Sequence, residues 1–293
     1  MSIRAKVAGV MIRHLMKKRM ATFGSPDEVR QLAGGMPGKV HKDAVVESVN
    51  AGGVRAEWIS FAGHNPAEVI LYLHGGGYVF GGLDSHRDIG WRLAQATGKK
   101  VLLIDYRLAP EHVFPAAVED AFAAYTWLLE QGLAADNLVV AGDSAGGGLS
   151  LALALKLKAE SVVLPGALVL LSPWCDLTLQ SPTIDANDAS DVMLSRGALQ
   201  RFANLYLDEH VPTDVYASPL LGDLAGLPRT YVIVGSGEVL RGDTDALVAA
   251  LSAADVPVSV KVWEDMMHVF PIAAQLIPEG RVAIQDIAEF LRD

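Results

Sequence analysis

The feature that most restricts the fold of this chain is a regular alternation of apolar, strand-like runs with helical segments, which begins near residue 68. The strand-like runs lie at 69–73, 101–105, 138–141, 167–171, 231–234 and 258–263. The helical patterns lie near 85–97, 115–131, 146–158, 243–254 and 279–292. Strands that are apolar almost throughout and alternate with helices are typical of a parallel sheet covered by helices on both faces. We therefore predict an α/β fold with a mostly parallel central sheet.

Two parts of the chain depart from this alternation. Residues 44–50 and 53–61 are predicted to form a hairpin ahead of the parallel strands. The segment between the runs at 167–171 and 231–234 is too long for a simple crossover, and it contains a helical pattern over 195–207. An insertion after the carboxyl end of a strand lies over the edge at which open α/β sheets bind ligands.

These departures define the predicted domains. We expect an insertion at 176–213 to form a cap, completed by N-terminal helices within 1–40. One of those helices is predicted at 26–33 and is expected to end at Gly34-Gly35. The main α/β domain is then made of 41–175 and 214–293.

Composition and charge narrow the possible functions. With 51% hydrophobic and 20% charged residues, the 293-residue chain is typical of a globular protein that buries a sizeable core. A formal net charge of -10 disfavours nucleic acid or an anionic membrane as the main partner. Cys175 is the single cysteine, which fits a reducing compartment, and we predict that it is a small buried side chain in a cytoplasmic protein.

The N-terminal segment combines positive charge with an apolar stripe. Residues 1–19 contain six Lys and Arg residues and no acidic residue. Five apolar residues recur at helical spacing, namely Ile3, Val7, Val10, Met11 and Leu15. This pattern is compatible with a membrane-surface helix, but the commoner explanation, which we adopt, is packing of the stripe on the protein itself. Arg13 and the following lysines interrupt any signal-peptide core, and no stretch has the apolar length of a bilayer span.

A candidate nucleophile lies at the junction of a predicted strand and a predicted helix. Gly142-Asp143-Ser144-Ala145-Gly146 follows the apolar run at 138–141 and precedes the helical pattern at 146–158. A serine on such a sharp turn has a strained backbone and a hydroxyl raised above the sheet, and flanking glycines let the backbones approach closely. The pentapeptide also arises by chance, so its meaning depends on partners elsewhere in the chain.

The partner base is identified by chain order. A serine hydroxyl becomes a strong nucleophile when a histidine, itself held by a carboxylate, removes its proton. In folds with this strand–serine–helix turn, the order along the chain is serine, acid, histidine. Six of the eight histidines precede Ser144, and His210 lies within the insertion. His268, between the last strand and the last helix, is therefore the predicted base.

The acid is expected just after the preceding strand at 231–234. Glu238 follows this strand almost at once and suits the role best. Asp243 is the alternative, although its position also fits the first turn of the next helix, where a carboxylate is favoured by the helix dipole.

A glycine-rich loop offers backbone donors for an oxyanion. His74-Gly75-Gly76-Gly77 follows the run at 69–73, and successive glycines let the main chain direct N–H groups inward. A flexible loop or a phosphate cradle would have similar composition. No Gly-Lys-Ser/Thr follows and no Gly-x-Gly-x-x-Gly opens a helix, so nucleotide binding is weakly supported.

Four motifs together resemble one known family. They are His-Gly-Gly-Gly-Tyr-Val-Phe-Gly at 74–81, Asp-Tyr-Arg-Leu-Ala-Pro-Glu-His at 105–112, Gly-Asp-Ser-Ala-Gly-Gly at 142–147 and Ser-Pro-Trp at 172–174. In this order they are similar to the bacterial hormone-sensitive-lipase-like esterases. The resemblance implies a capped α/β-hydrolase that acts on short-chain carboxylic esters, with no cofactor and no metal. It also implies that the N–H groups of Gly76, Gly77 and Ala145 line an oxyanion hole, and that His74 supports this loop.

The resemblance is imperfect at the acid. In the family the triad acid is usually the Asp of an Asp-x-Leu pattern. This chain has Glu238-Val239-Leu240 at that position, and it departs from the family pattern again at Arg241-Gly242. The match of position supports Glu238, with a longer side chain than usual. Two other functions stay open: a non-catalytic receptor for a small ligand on the same fold, and an amidase or carbamate hydrolase with the same triad.

We also expect two copies of the chain to associate. The run at 258–263 is predicted to be the edge strand of the sheet, and an unpaired edge favours pairing with a partner. Together with the final helix, this strand is the predicted surface of a homodimer.

Overall fold

A single eight-stranded sheet forms the centre of the computed structural model, which describes residues 1–34 and 40–292. Its strands are β1 (Val45–Ala51), β2 (Val54–Ser60), β3 (Asn65–Leu73), β4 (Lys99–Ile104), β5 (Leu138–Asp143), β6 (Ala167–Leu171), β7 (Thr230–Gly235) and β8 (Val258–Trp263). Their order across the sheet is β1-β2-β4-β3-β5-β6-β7-β8. The strands β1 and β2 form an antiparallel hairpin, β2 pairs antiparallel with β4, and the remaining pairs are parallel. The predicted strands, the hairpin and the edge position of β8 are confirmed.

The helices are α1 (Ile3–Ile12), α2 (Lys18–Thr22), α3 (Pro26–Gly34), α4 (Leu83–Thr97), α5 (Ala116–Glu130), α6 (Ala145–Ala159), α7 (Thr183–Ala186), α8 (Arg196–Leu207), α9 (Arg241–Ala253) and α10 (Pro278–Phe290). A π-helical turn, Arg13–Lys17, joins α1 to α2. The helices predicted between the strands are confirmed, with ends that differ by a few residues. Within the residues the structure describes, none of these helices has both the length and the hydropathy needed to cross a membrane.

The alternation of side chains along the strands divides the core into two layers. In β3, Leu71 and Leu73 face the core shared with α5, α6 and α9, whereas Ile70 and Tyr72 face the core shared with α4 and α10. Successive side chains of a strand point to opposite faces, so both faces of a central strand must be apolar when helices cover each of them. This explains the nearly continuous apolar runs of the sequence.

Helices from two distant parts of the chain meet beside the loop that follows β3. Phe23, just after α2, stacks on Phe202 of α8 with ring centroids 5.4 Å apart. Arg201 Nη1 donates a hydrogen bond to the carbonyl oxygen of Phe23 at 3.0 Å. Phe202 also packs against Phe80 of the loop after β3, at 5.7 Å between centroids.

The N-terminal helix packs on the protein through a different face from the one predicted. Ala5 is buried, and Ala8 and Ile12 pack beside it against the core on the α4 and α10 side. The five apolar residues of the predicted packing stripe are all exposed: Ile3, Val7, Val10, Met11 and Leu15. The prediction was wrong because the helix is apolar on two sides, and the side with small alanines allows the closer approach.

Part of the predicted N-terminal region cannot be compared with the structure. Gly35, at which the second helix was expected to end, lies outside the described residues, as do residues 36–39 and Asp293. The helix predicted at 26–33 is present as α3.

Candidate active site

A strained turn places Ser144 between β5 and α6. Its backbone has φ 52° and ψ -119°, in the left-handed region that non-glycine residues rarely occupy. A Cβ on Gly142 would lie 2.2 Å from the carbonyl oxygen of Gly146, and a Cβ on Gly146 would lie 2.0 Å from that of Leu73. Glycine is therefore required on both sides of Ser144, because the strand, the turn and the neighbouring strand end are in backbone contact.

The structure brings Ser144, His268 and Glu238 into one hydrogen-bonded row. With its proton on Nδ1, His268 donates to Glu238 Oε2 at 2.7 Å, and its Nε2 accepts from Ser144 Oγ at 2.9 Å. His268 and Glu238 are 3% and 1% exposed, whereas Ser144 is half-buried and faces the cavity described below. The imidazole is thus fixed in the tautomer that can accept the serine proton.

Electrostatics around His268 favour its charged form. Burial by itself lowers the pKa of His268, but the charge and hydrogen bond of Glu238 raise it, and the more distant carboxylates of Asp191 and Asp143 add to this effect. The net result is a pKa above the ordinary value for histidine. A base that gains affinity for a proton in this way is suited to take one from a hydroxyl.

Ser172 holds the carboxylate, and sequence reasoning did not give it a role. Its hydroxyl donates to Glu238 Oε1 at 2.8 Å and accepts from the backbone N–H of Val269 at 3.2 Å. The backbone N–H of Gly235 donates to the same Oε1 at 2.5 Å. Ser172 thereby links the two loops that carry Glu238 and His268. Its place directly after β6, beside the end of β7, is the sequence signal that could have revealed this contact.

Asp243, the alternative acid, lies in a different environment. Its Oδ2 accepts hydrogen bonds from the backbone N–H groups of Cys175 at 3.0 Å and Asp176 at 3.1 Å. Burial raises the pKa of Asp243 to about 7. The hydrogen bonds of His268 go to Ser144 and Glu238, so Asp243 holds the loop after β6 and the structure places Glu238 beside the histidine.

Gly76 and Gly77 line the same cavity as Ser144, and Ala145 follows Ser144 directly in the chain. Gly76 and Gly77 adopt φ values of 122° and 60°, and Ala145 is the first residue of α6. Among residues 1–34 and 40–292, no acceptor is hydrogen-bonded to the N–H groups of these three residues. A Cβ on Gly77 would lie 2.7 Å from Phe202 Cγ, so a side chain would not fit here. Free donors at a helix N-terminus and on a glycine turn provide positive potential for an oxyanion.

His74 supports the glycine loop. Its ring stacks on Tyr106 with centroids 4.1 Å apart, and the Tyr106 hydroxyl donates to the His74 carbonyl oxygen at 2.6 Å. Asp143 Oδ1 accepts from the backbone N–H of Gly75 at 3.0 Å and from the Tyr72 hydroxyl at 2.9 Å. Burial lowers the pKa of His74 to about 3, so the ring is neutral at physiological pH.

A cavity of about 230 Å³ opens onto Ser144 and His268. Much of its remaining wall is apolar and comes from helices and loops on both sides: Met16, Met20, Phe80, Leu199, Phe202 and Ile272. In the part of the chain that the structure describes, no cluster of three or more His, Cys, Asp or Glu side chains is arranged to hold a metal ion.

A mostly parallel sheet with a strained Gly-x-Ser-x-Gly turn, followed along the chain by a carboxylate and a histidine, defines the α/β hydrolases. The sequence profile of a family described as having the alpha/beta hydrolase fold matches residues 70–272. An acetyl-hydrolase of Streptomyces hygroscopicus is 43% identical over 244 residues, which are 83% of this chain and 81% of the relative.

Other relatives narrow the class further. An esterase of Acinetobacter venetianus is 39% identical, over 84% of this chain and 81% of its own length. A crystal structure described as an esterase from the bacterial hormone-sensitive lipase family superposes with a TM-score of 0.94 and 41% identity, covering 100% of this chain and 98% of that one. The chain belongs to the bacterial hormone-sensitive-lipase-like esterases of the α/β-hydrolase fold.

Proposed function

We propose that the chain hydrolyses short-chain carboxylic esters through a covalent acyl-serine intermediate. Ser144 is the nucleophile, His268 the general base and acid, and Glu238 the carboxylate that orients the imidazole. The observation that carries this proposal is the position of His268, whose two ring nitrogens lie 2.9 Å from Ser144 Oγ and 2.7 Å from Glu238 Oε2.

In the first half of the reaction, His268 Nε2 takes the hydroxyl proton while Ser144 Oγ attacks the ester carbonyl carbon. The negative charge that forms on the carbonyl oxygen is stabilised by the N–H groups of Gly76, Gly77 and Ala145. The protonated imidazole then gives its proton to the departing alcohol as the carbon–oxygen bond breaks. In the second half, water attacks the carbonyl carbon of the acyl-serine while His268 takes a proton from it, and the imidazole then gives that proton to Ser144 Oγ as the bond to the acyl group breaks and the carboxylic acid leaves.

The size and the lining of the cavity support a preference for small acyl groups. Its volume of about 230 Å³ is below the usual size of a site for a drug-sized ligand, and its wall is largely apolar. The relative from Streptomyces hygroscopicus is named an acetyl-hydrolase, which agrees with a preference for short chains. We propose that the wall is completed by a cap made of helices within 1–40 and 176–213, because Met20 and Phe202 contribute to it from these two segments.

A series of p-nitrophenyl esters from acetate to palmitate tests the proposal. We expect kcat/KM to be greatest for acyl chains of about four to six carbons, and to fall at least about tenfold for chains that outgrow the cavity. The control is a bacterial lipase that cleaves the long esters under the same conditions. Best activity on long-chain esters or triglycerides would contradict the assignment of the cavity as the acyl site.

Two other functions share this fold. An amidase or carbamate hydrolase would use the same three side chains, and p-nitroanilide analogues of the best ester distinguish the two by their relative kcat/KM. A ligand receptor on this fold has no need of a base aligned on the serine. The 2.9 Å contact between His268 and Ser144 therefore favours catalysis over binding alone.

The cellular location that fits the chain best is the cytoplasm. Cys175 is fully buried, and burial raises the pKa of its thiol, so it is an inert side chain rather than a nucleophile or half of a disulfide. We infer that the enzyme acts in a reducing compartment on a small-molecule ester, with no nucleic acid and no cofactor involved.

The edge of the sheet supports the homodimer inferred from sequence. Within the described residues, β8 is the last strand of the sheet, and its own Val260 and Val262 expose apolar surface. We propose that β8 and the adjacent α10 pair with the same elements of a second copy. Light scattering is expected to give about twice the chain mass of 31.2 kDa, and Val260→Asp is expected to restore the monomer. A wild-type mass equal to one chain would contradict this interface.

A further inference from the structure

The segment formed by α1, the π-helical turn and α2 exposes apolar side chains on one side. Ile3 is 81% exposed, Val7 55%, Val10 60%, Met11 56% and Leu15 51%. We call these five residues the outer stripe. Ile3, Val7, Val10 and Met11 belong to α1, where steps of three or four residues place them on one side of the helix, and Leu15 follows in the π-helical turn. Single exposed apolar residues are ordinary, but a contiguous stripe of this length marks an interaction surface.

The helix does not need the outer stripe in order to fold against the protein. Its opposite side already carries the packing, with Ala5 and Met20 buried and Ile12 and Met16 partly buried against the two cores. The helix also has its N-cap, since the side-chain hydroxyl of Ser2 accepts a hydrogen bond from the N–H of Ala5 at 3.2 Å. The outer stripe is therefore available for contacts outside the chain.

The charges beside the outer stripe indicate what covers it. Six Lys and Arg residues precede Asp27, the first acidic residue of the chain, in a protein of formal net charge -10. One of them, Lys17, is partly buried and paired with Asp188, so it does not contribute to the outer charge. At 3.6 residues per turn, Lys6 and Arg4 flank the stripe on its two sides, and both are exposed. An apolar helix face bordered by cations is the pattern of a helix that lies in the interface of an anionic bilayer.

A second copy of the chain fits this face less well. A two-fold interface places the same patch of each subunit against itself. The cations that border the outer stripe would then face the same cations of the second copy. Repulsion between these like charges opposes association. The acidic remainder of the protein is repelled by an anionic surface, so attraction is confined to the N-terminal segment and sets one orientation.

We propose that the outer stripe docks this protein on an anionic lipid surface. Docking would place the cavity close to the bilayer, because Met16 and Met20 of the same segment line the wall around Ser144. In that position the enzyme would receive esters that partition into the membrane, and this consequence rests on the proposed esterase function. The docking itself does not, and it is measured without turnover.

Vesicle sedimentation tests the docking directly. The protein is expected to bind vesicles of phosphatidylcholine with about 30% phosphatidylglycerol, to bind pure phosphatidylcholine at least about tenfold more weakly, and to be released by salt. Val7→Asp/Met11→Asp is expected to lower the partition coefficient on the anionic vesicles at least about tenfold. The matched control is Val163→Asp/Val211→Asp, which places the same charges at exposed valines outside the segment and is expected to bind as the wild type does.

Two measurements keep the result independent of folding. Circular dichroism and hydrolysis of water-soluble p-nitrophenyl acetate are expected to be unchanged in Val7→Asp/Met11→Asp, because neither residue lines the cavity. In the wild type, hydrogen–deuterium exchange is expected to slow within residues 3–15 when anionic vesicles are added. The proposal is overturned by absence of vesicle binding, by an equal loss in the control variant, or by protection elsewhere. It is also overturned if the substitution converts a dimer into a monomer while vesicle binding is absent, which would make the face a self-interface.

Discussion

Ser144→Ala is expected to lower kcat for p-nitrophenyl butyrate by at least about 10⁴-fold, because the variant has no oxygen to form the acyl intermediate. The residual rate would come from the N–H groups of Gly76, Gly77 and Ala145, which can still polarise the ester carbonyl. The fold should be retained, since alanine is close in size to serine and introduces no clash at this half-buried position. Initial rates and the melting temperature of the purified variant measure the two effects.

Ser161→Ala is the matched control for this substitution. Ser161 also has a positive φ, 56°, but it is exposed and lies at the opposite end of α6 from Ser144. It is expected to leave kcat unchanged. A fluorophosphonate should add one adduct to the wild type and to Ser161→Ala, and none to Ser144→Ala. Near wild-type hydrolysis by Ser144→Ala would refute the acyl-serine mechanism.

Glu238→Gln is expected to lower kcat/KM by about 10³ to 10⁴-fold through a change of tautomer. The amide oxygen of the glutamine would accept from Ser172 Oγ and the N–H of Gly235, as Oε1 of Glu238 does now. The amide NH₂ would then face His268 Nδ1 and donate to it, which leaves the imidazole proton on Nε2. A protonated Nε2 cannot accept the proton of Ser144.

The pH profile separates this effect from a loss of structure. Activity requires neutral His268, so kcat/KM falls as the pH drops through the pKa of this histidine. Because Glu238 raises that pKa against the effect of burial, Glu238→Gln is expected to move the acidic limb to lower pH. A merely structural role for Glu238 would lower the rate without moving the limb.

Asp243→Asn is the companion to this test. An asparagine oxygen can still accept from the N–H groups of Cys175 and Asp176. Burial raises the pKa of Asp243 to about 7, which means that this environment favours a neutral side chain over a charged one. We expect less than about a tenfold change in kcat/KM and an unmoved acidic limb. A larger loss at Asp243 than at Glu238 would reverse the assignment of the acid.

Much of this architecture follows from the sequence, because local patterns encode local geometry. The apolar runs predicted the central parallel strands, since a strand buried on both faces must be apolar throughout. The outer hairpin of β1 and β2 was predicted from the glycine turn between its strands. The turn at Ser144 follows from its two glycines, where backbones in contact leave no room for a Cβ. His268 was reached by the order of residues along the chain, which the strand–serine–helix turn constrains.

Contacts between distant segments were decided only by the tertiary structure. Glu238 and Asp243 both follow β7 closely, and only the path of the chain, with Ser172 beside Glu238, determines which carboxylate meets His268. The contacts of the outer stripe were also not decided by the sequence. An amphipathic pattern shows that a helix has an apolar side, but it does not show which part of the protein, or which partner, covers that side. Sequence periodicity fixes the direction of side chains within one element. Which neighbour each face of an element contacts depends on how elements far apart in the sequence pack together. Here that packing left the outer stripe exposed.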